Sequence, residues 1–142
     1  MSLVRTLCII KPDAVAAGNA GKILSMLEGE GGFRIVALRM EHLTEESARA
    51  FYAVHEERPF YADLVEFMTS GSCIPMVLER ENAIFALRGF IGATNPTEAE
   101  EGSVRQLYGA SIQNNAVHAS DSPESAETEI PHFFADTAVH AG

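Results

Sequence analysis

The sequence predicts an α+β fold of the ferredoxin-like split βαβ type, a small antiparallel four-stranded sheet covered by helices. Three observations lead there. Four short runs of apolar, β-favouring residues alternate with segments whose apolar residues recur at helical spacing. Gly, Pro, Asn and Ser punctuate the connections between them. A length of 142 residues, 46% of them hydrophobic and 21% charged, suits one core, so residues 1–142 read as a single domain.

Residues 5–10 (RTLCII) read as a buried first strand closed by the turn Lys11-Pro12-Asp13. Over residues 20–28, Ile23, Leu24 and Leu27 share a helical face, and the run Gly29-Glu30-Gly31-Gly32 ends that helix. The alternation in 33–43 (FRIVALRMEHL) predicts a second strand. Thr44 is a good cap for a helix reaching about residue 55, with Ala48, Phe51, Tyr52 and His55 on one face. Pro59 opens another helix, striped by Tyr61, Leu64, Val65 and Met68. Residues 73–79 (CIPMVLE) predict a third strand, in which Pro75 implies an edge position or a bulge.

A short helix over 82–90 is followed by a polar, turn-rich loop over 92–102 and one helical turn over 103–108. Residues 116–120 predict the last strand. Ser122-Pro123-Glu124 then supplies a cap, a first-turn proline and a first-turn acid for the final helix. Residues 135–142 read as a loose tail. The pattern alone does not give the pairing order of the strands.

Twenty acidic residues against ten basic ones give a net charge of −10. Such a surface repels nucleic acid and anionic lipid, and it obliges any phosphate site to gather its scarce cations in one place. Cys8 and Cys73 lie in apolar runs and read as buried thiols, not as a disulfide framework or zinc site. With no long apolar run and no signal-peptide pattern, the chain reads as soluble and cytoplasmic, without membrane partners. Gly21-Lys22 imitates the end of a phosphate-binding loop, but Ala16 stands where its first glycine is needed and Ile23 where its Ser or Thr is needed.

The informative stretch is NNAVHASDS, residues 114–122. In an extended chain His118 and Ser120 face the same way, and small Ala116 and Ala119 leave the imidazole uncrowded. Glu129, two turns into the next helix, is able to fold back toward that strand. A carboxylate on one imidazole N–H leaves the other nitrogen a free lone pair, as a nucleophile requires. A lone histidine is more often a hydrogen-bonded structural residue. Lys11, Arg58, Arg88 and Arg105 weigh on the other side: all stand at element ends near turns, where phosphoryl transfer needs positive charge.

RTLCIIKPDAV (5–15), FYAVHEERPFYADLVEFMTSG (51–71), GATNPTEAEEGSVRQLYG (92–109) and NAVHASDSPESAETEI (115–130) together closely resemble the nucleoside diphosphate kinase family. The resemblance implies that His118 is phosphorylated by a triphosphate donor, typically ATP, and passes the group to a diphosphate in ping-pong fashion. It implies Glu129 and Ser120 as orienting partners of His118. Arg88, Thr94 and Arg105 would hold the phosphates, with His55 and Tyr52 lining the same pocket. Lys11 and Asn115 would bond the sugar hydroxyls and nearby oxygens, and Phe60 and Ile112 would flank the base. Mg2+ would ride on the phosphates, with Asp121 nearby through water and no protein ligand set of its own. The family's assembly implies a homo-oligomer built from dimers, either a tetramer or a hexamer. The competing expectation is an idle nucleotide-binding or interaction subunit of the same fold.

Several positions depart from the family pattern. Ala119 replaces a usual glycine, Arg80 a glycine and Ser72 a proline, and the turn at 29–32 is one residue longer. Pro131 falls inside the final helix, where it removes a hydrogen bond and puts the aim of Glu129 in doubt.

Overall fold

The computed structural model describes residues 3–140. At its centre lies β1 (Leu3–Ile10), whose Leu7, Cys8, Ile9 and Ile10 are fully buried. An apolar run without polar alternation suits a strand covered on both faces. Successive side chains point to opposite faces, so Leu7 and Ile9 enter one core and Cys8 and Ile10 the other. With β2 (Arg34–Leu38), β3 (Ile74–Glu81) and β4 (Val117–Ala119) it forms a sheet of order β2-β3-β1-β4 with every pairing antiparallel. This is the α+β split βαβ sandwich that the strand and helix pattern predicts.

The helices are α1 (Pro12–Ala16), α2 (Ala20–Glu28), α3 (Glu45–Phe51), α4 (Tyr61–Met68), α5 (Ala83–Ile91), α6 (Val104–Tyr108) and α7 (Pro123–Phe133). On one face Ile23 and Leu27 of α2 and Leu87 and Ile91 of α5 cluster with Cys8, Ile10, Met76 and Leu78. On the other, Ala48 of α3, Val65 and Met68 of α4 and Phe133 of α7 cluster with Leu7, Ile9 and Val77. Each fully buried Leu or Ile contributes about 1.5–3 kcal/mol, so this double core clamps β1 from both sides. Among the described residues no helix is long and apolar enough to cross a membrane.

Three elements differ from expectation. The segment after Lys11 is a short helix, α1, because Pro12 at its first position presets a helical φ and has no N–H to leave unsatisfied. The second strand ends at Leu38 instead of residue 43, and Pro75 is the reason. Arg39 donates its N–H to the Pro75 carbonyl at 3.2 Å, but proline has no N–H to return the bond. Pairing resumes only as a single bridge between Glu41 and Cys73. Pro75 thus lies in an interior strand, not at an edge, and the register shift of this pair falls in β2, between Ile35 and Ala37. The helix capped by Thr44, whose Oγ1 accepts the Ser47 N–H at 3.0 Å, stops at Phe51, and a tighter turn continues it over Ala53–His55.

The stretch read as a loose tail is docked as far as residue 140. A tight turn spans Asp136–Ala138, Ala138 and Val139 pack against the second core, and the His140 N–H donates to the Val36 carbonyl at 2.7 Å. Residues 141 and 142 lie outside the described residues.

Helix α7 begins as expected, with Ser122 Oγ accepting the Ser125 N–H at 3.1 Å and Pro123 in the first turn. It also runs through Pro131 to Phe133, and the Phe134 N–H still reaches the Ile130 carbonyl at 2.9 Å. An interior proline costs a helix about 3 kcal/mol, offset by up to about 1 kcal/mol of unfolded-state entropy. Pro131→Ala is therefore expected to raise stability by about 2 kcal/mol. Urea denaturation should show a higher midpoint at unchanged slope; a lower midpoint would mean that the helix tolerates the proline without loss.

Candidate active site

His118 sits in the middle of β4, opposite Ile9 of β1. Its side chain keeps 20% of its surface exposed, enough for a reagent to reach it. Glu129, from the second turn of α7, places Oε1 2.9 Å from His118 Nε2 and also accepts the Ser120 hydroxyl at 2.8 Å. A carboxylate accepts, so Nε2 carries the proton and Nδ1 of the neutral ring keeps its lone pair. Ser120 is fully buried and tied back to β1, its N–H donating to the Leu7 carbonyl at 3.1 Å. The rings of Phe51 and Tyr52 stand edge-on to the imidazole at 5.3 and 6.1 Å. Burial, then the Glu129 carboxylate, push the Tyr52 phenol far up, so it stays neutral.

The cations converge on the same strand. Arg105 of α6 donates through Nη2 to the Val117 carbonyl at 2.8 Å and through Nη1 to the Gly92 carbonyl at 3.1 Å. Arg88 of α5 reaches the Ala119 carbonyl at 3.4 Å. The residues on either side of His118 therefore each hold one guanidinium. Burial, and next the Arg88 charge, lower Arg105 to about 10, and its buried Nε has no partner. Lys11, at the end of β1, donates to the Gln113 carbonyl at 2.8 Å and Asn115 Oδ1 at 2.9 Å, and lies over the Phe67 ring. Asn115 in turn donates to the Thr94 carbonyl at 3.0 Å.

A cavity of about 420 Å³ opens beside Arg88 and Thr94, which line it with Gly92, Ala93, Glu98 and Glu100; His118, Lys11 and Arg105 are not in its lining. Gly92 is required there: its φ is +93°, and a Cβ would come within 2.5 Å of Ser103 Oγ. Phe60 is 48% exposed and pairs with His55 at 5.3 Å, while Ile112 is 61% exposed on the loop before Lys11's partners. Asp121 accepts the Ser125 hydroxyl, which holds its carboxyl below the usual range, helped by the nearby Arg88 charge. Of the other expected cations, Arg58 lines a separate surface hollow beside Glu56 and Glu57.

The chain enters β4 through a strained turn that the sequence reading did not foresee. Ala116 has φ +73°, and the Val117 N–H donates across it to the Asn115 carbonyl at 2.9 Å, a γ-turn of the rare positive-φ form. Ala119, where the family's glycine is absent, lies in β4 with negative φ, so that replacement carries no strain. Asp13 secures the turn: its Oδ2 accepts the Ala116 N–H at 3.1 Å, and the Lys11 N–H donates to the Ala116 carbonyl at 2.8 Å. Asp13, Phe51 and Gly92 are the site residues that sequence reasoning did not single out. Their signals were slight: Asp13 belongs to the Lys-Pro-Asp turn, Phe51 shares a face with Tyr52, and Gly92 opens the polar loop.

Positive φ costs a non-glycine residue on the order of 1–3 kcal/mol, and glycine's extra unfolded entropy returns part of that. Ala116→Gly is expected to stabilise the protein by about 1 kcal/mol. A shift of the urea midpoint in the opposite direction would show that the turn is not strained.

Comparisons with known proteins follow the same lines. The family model described as nucleoside diphosphate kinase matches residues 4–139. A nucleoside diphosphate kinase of Persephonella marina is 56% identical over 94% of this chain and 95% of its own length. One of Myxococcus xanthus is 51% identical over 99% and 97%. Among solved structures, the Aquifex aeolicus nucleoside diphosphate kinase superposes with a TM-score of 0.93 at 48% identity, covering 97% of this chain and 99% of that one. A halophilic nucleoside diphosphate kinase from Halobacterium salinarum, solved in complex with CDP, superposes with a TM-score of 0.94 at 36% identity, covering 99% and 93%. With its sheet order, its histidine strand and a family match over nearly its whole length, the chain belongs to the nucleoside diphosphate kinases, which move the terminal phosphate of a nucleoside triphosphate onto a nucleoside diphosphate.

Proposed function

We propose that His118 is the phosphate carrier of this reaction. Its Nδ1 attacks the terminal phosphorus of the donor triphosphate, typically ATP. As the N–P bond forms, the bond from phosphorus to the bridging oxygen breaks, and the diphosphate leaves with that electron pair. An acceptor diphosphate then attacks the same phosphorus through a terminal oxygen, and the N–P electron pair returns to Nδ1. One site serving donor and acceptor in turn gives ping-pong kinetics. The observation that carries this reading is the 2.9 Å contact between Nε2 and Glu129, which turns Nδ1 away from the carboxylate as the free nitrogen of the neutral ring while Arg88 and Arg105 are tied to the carbonyls beside His118. The idle-subunit reading is not favoured, since near-full-length relatives at 51–56% identity are named kinases.

Each remaining residue has a role that its setting supports. Arg88, Arg105 and Thr94 hold the phosphates; the partnerless Nε and unused N–H groups of Arg105 suit added oxygens. Lys11 and Asn115 bond the sugar hydroxyls and neighbouring oxygens, and Ser120 keeps Glu129 aimed. Tyr52 stays neutral against the imidazole, and His55 lines the approach. Phe60 and Ile112, both large and exposed, take the base between them; stacking is indifferent to base identity and suits broad nucleotide use. The CDP complex of the Halobacterium relative supports a nucleotide in this fold.

Magnesium fits here only in company with phosphate. Among the described residues no three His, Cys, Asp or Glu side chains stand together to hold a metal, whereas Mg2+ commonly takes one carboxylate plus substrate phosphates. Exposed Asp121, near Arg88, would hold it through water, and when bound it would neutralise phosphate charge. Exposed Leu38 and Met40 beside the open β2 edge support self-association, into dimers and then a tetramer or hexamer. The acidic surface argues against nucleic-acid partners, and substrates too charged to cross a bilayer favour a cytoplasmic setting.

Mixing the protein with ATP should yield an acid-labile, base-stable phosphoprotein. His118→Ala should abolish both the label and phosphate exchange to GDP, a loss on the order of 10⁴-fold or more. Labelling that survives in the variant would assign the carrier elsewhere. A pH profile tests Lys11 separately. Burial lowers its ammonium to about 8, opposed by the Asp13 charge and assisted by Arg105. The charged form is present below that value, so kcat/KM should fall as pH rises through about 8. Activity flat to well above that pH would remove Lys11 from the reacting site.

A further inference from the structure

We infer that Asp13 is a positioning residue for the transfer reaction, clamping the strained turn that leads into the His118 strand while setting a negative charge against Lys11; this rests on the phosphotransfer reading above. Asp13 lies in the first turn of α1, where an acidic residue ordinarily does no more than favour a helix N-terminus. Here the carboxylate reaches across 103 positions of sequence to the Ala116 N–H at 3.1 Å. Its other oxygen, Oδ1, is buried with no partner. On a partly buried carboxylate, a buried oxygen without a partner is costly and calls for a reason.

Two features supply one. The first is mechanical. Ala116 holds φ +73° against its own preference, and such a conformation persists only where surroundings over-determine it. Two contacts do so: Asp13 on the N–H and the Lys11 backbone N–H on the carbonyl. Asn115, which meets the Lys11 ammonium, is the first residue of the turn, and His118 follows its last. Without the carboxylate the turn relaxes toward negative φ and both groups move. The second is electrostatic. Lys11 is buried among Asn115, the Gln113 carbonyl and the Phe67 ring, and the charged groups acting on it are Asp13 and the like-charged Arg105. Asp13 is the member of that set that favours the ammonium form.

The test measures ATP-to-GDP phosphate exchange, with kcat expressed per phosphorylatable site counted by radiolabel, so that unfolded molecules drop out. Asp13→Ala is expected to lose about tenfold in kcat per site, and adding Ala116→Gly, which needs no clamp to populate positive φ, to recover most of that loss. Asp13→Asn keeps an acceptor for the Ala116 N–H but no charge. Below neutral pH it should stay within about threefold of the unaltered protein, while its alkaline limb moves down by at least roughly half a pH unit. Full kcat per site in Asp13→Ala, or a loss that Ala116→Gly leaves untouched, overturns the clamp. An unmoved limb in Asp13→Asn overturns the charge role, and that arm decides the matter if the alanine variant does not fold. Failure of the unaltered protein to form phosphohistidine would instead sink the phosphotransfer reading itself.

Discussion

β4 is three residues long, too short to hold its own place, and its pairing with β1 puts His118 opposite Ile9. Because β1 is gripped by apolar clusters on both faces, that pairing fixes the imidazole against the most rigid part of the molecule. The groups nearest the imidazole are positioned relative to these two strands. Lys11 closes β1, Ser120 binds back to Leu7, Arg105 and Arg88 bond the Val117 and Ala119 carbonyls, and Glu129 descends from α7. Preorganisation of this kind is what phosphoryl transfer asks of a protein, since the covalent chemistry itself is simple.

Charge imposes the second constraint. In a chain with a net charge of −10, an anionic substrate is drawn in only where the field is locally reversed. Lys11 and Arg105 are nevertheless buried, at a cost that shows in their lowered proton affinity. Carbonyls and amides meet that cost only in part: Asn115 and Gln113 for Lys11, Gly92 and Val117 for Arg105. The cations are thus held by neutral groups, without tight carboxylate partners.

Backbone strain and proline punctuation settle the details. Pro75 interrupts the β2–β3 ladder from inside the sheet and ends β2 early. Pro131 does not divert α7, because the helix is held by packing of Phe133 in the core and by the bonds of Glu129 to His118 and Ser120. The family's missing glycine at 119 matters little, whereas Ala116, singled out in the sequence only for its small size, carries the positive φ.

Much of the site was legible in the linear sequence. The alternation of residues around His118, the caps at Thr44 and Ser122, a buried first strand over residues 5–10 and the motif resemblance all rest on local spacing, which a sequence displays directly. Tertiary structure alone decided the strand order, the bond from Asp13 to Ala116 and the attachment of two arginines to the carbonyls flanking His118. It likewise decided the docking of residues 135–140 and the interior place of Pro75. These are contacts between residues distant in the chain, set by which faces close over a shared core. No local pattern encodes them, because the same carboxylate or carbonyl finds its partner only once the sheet has brought the two ends together.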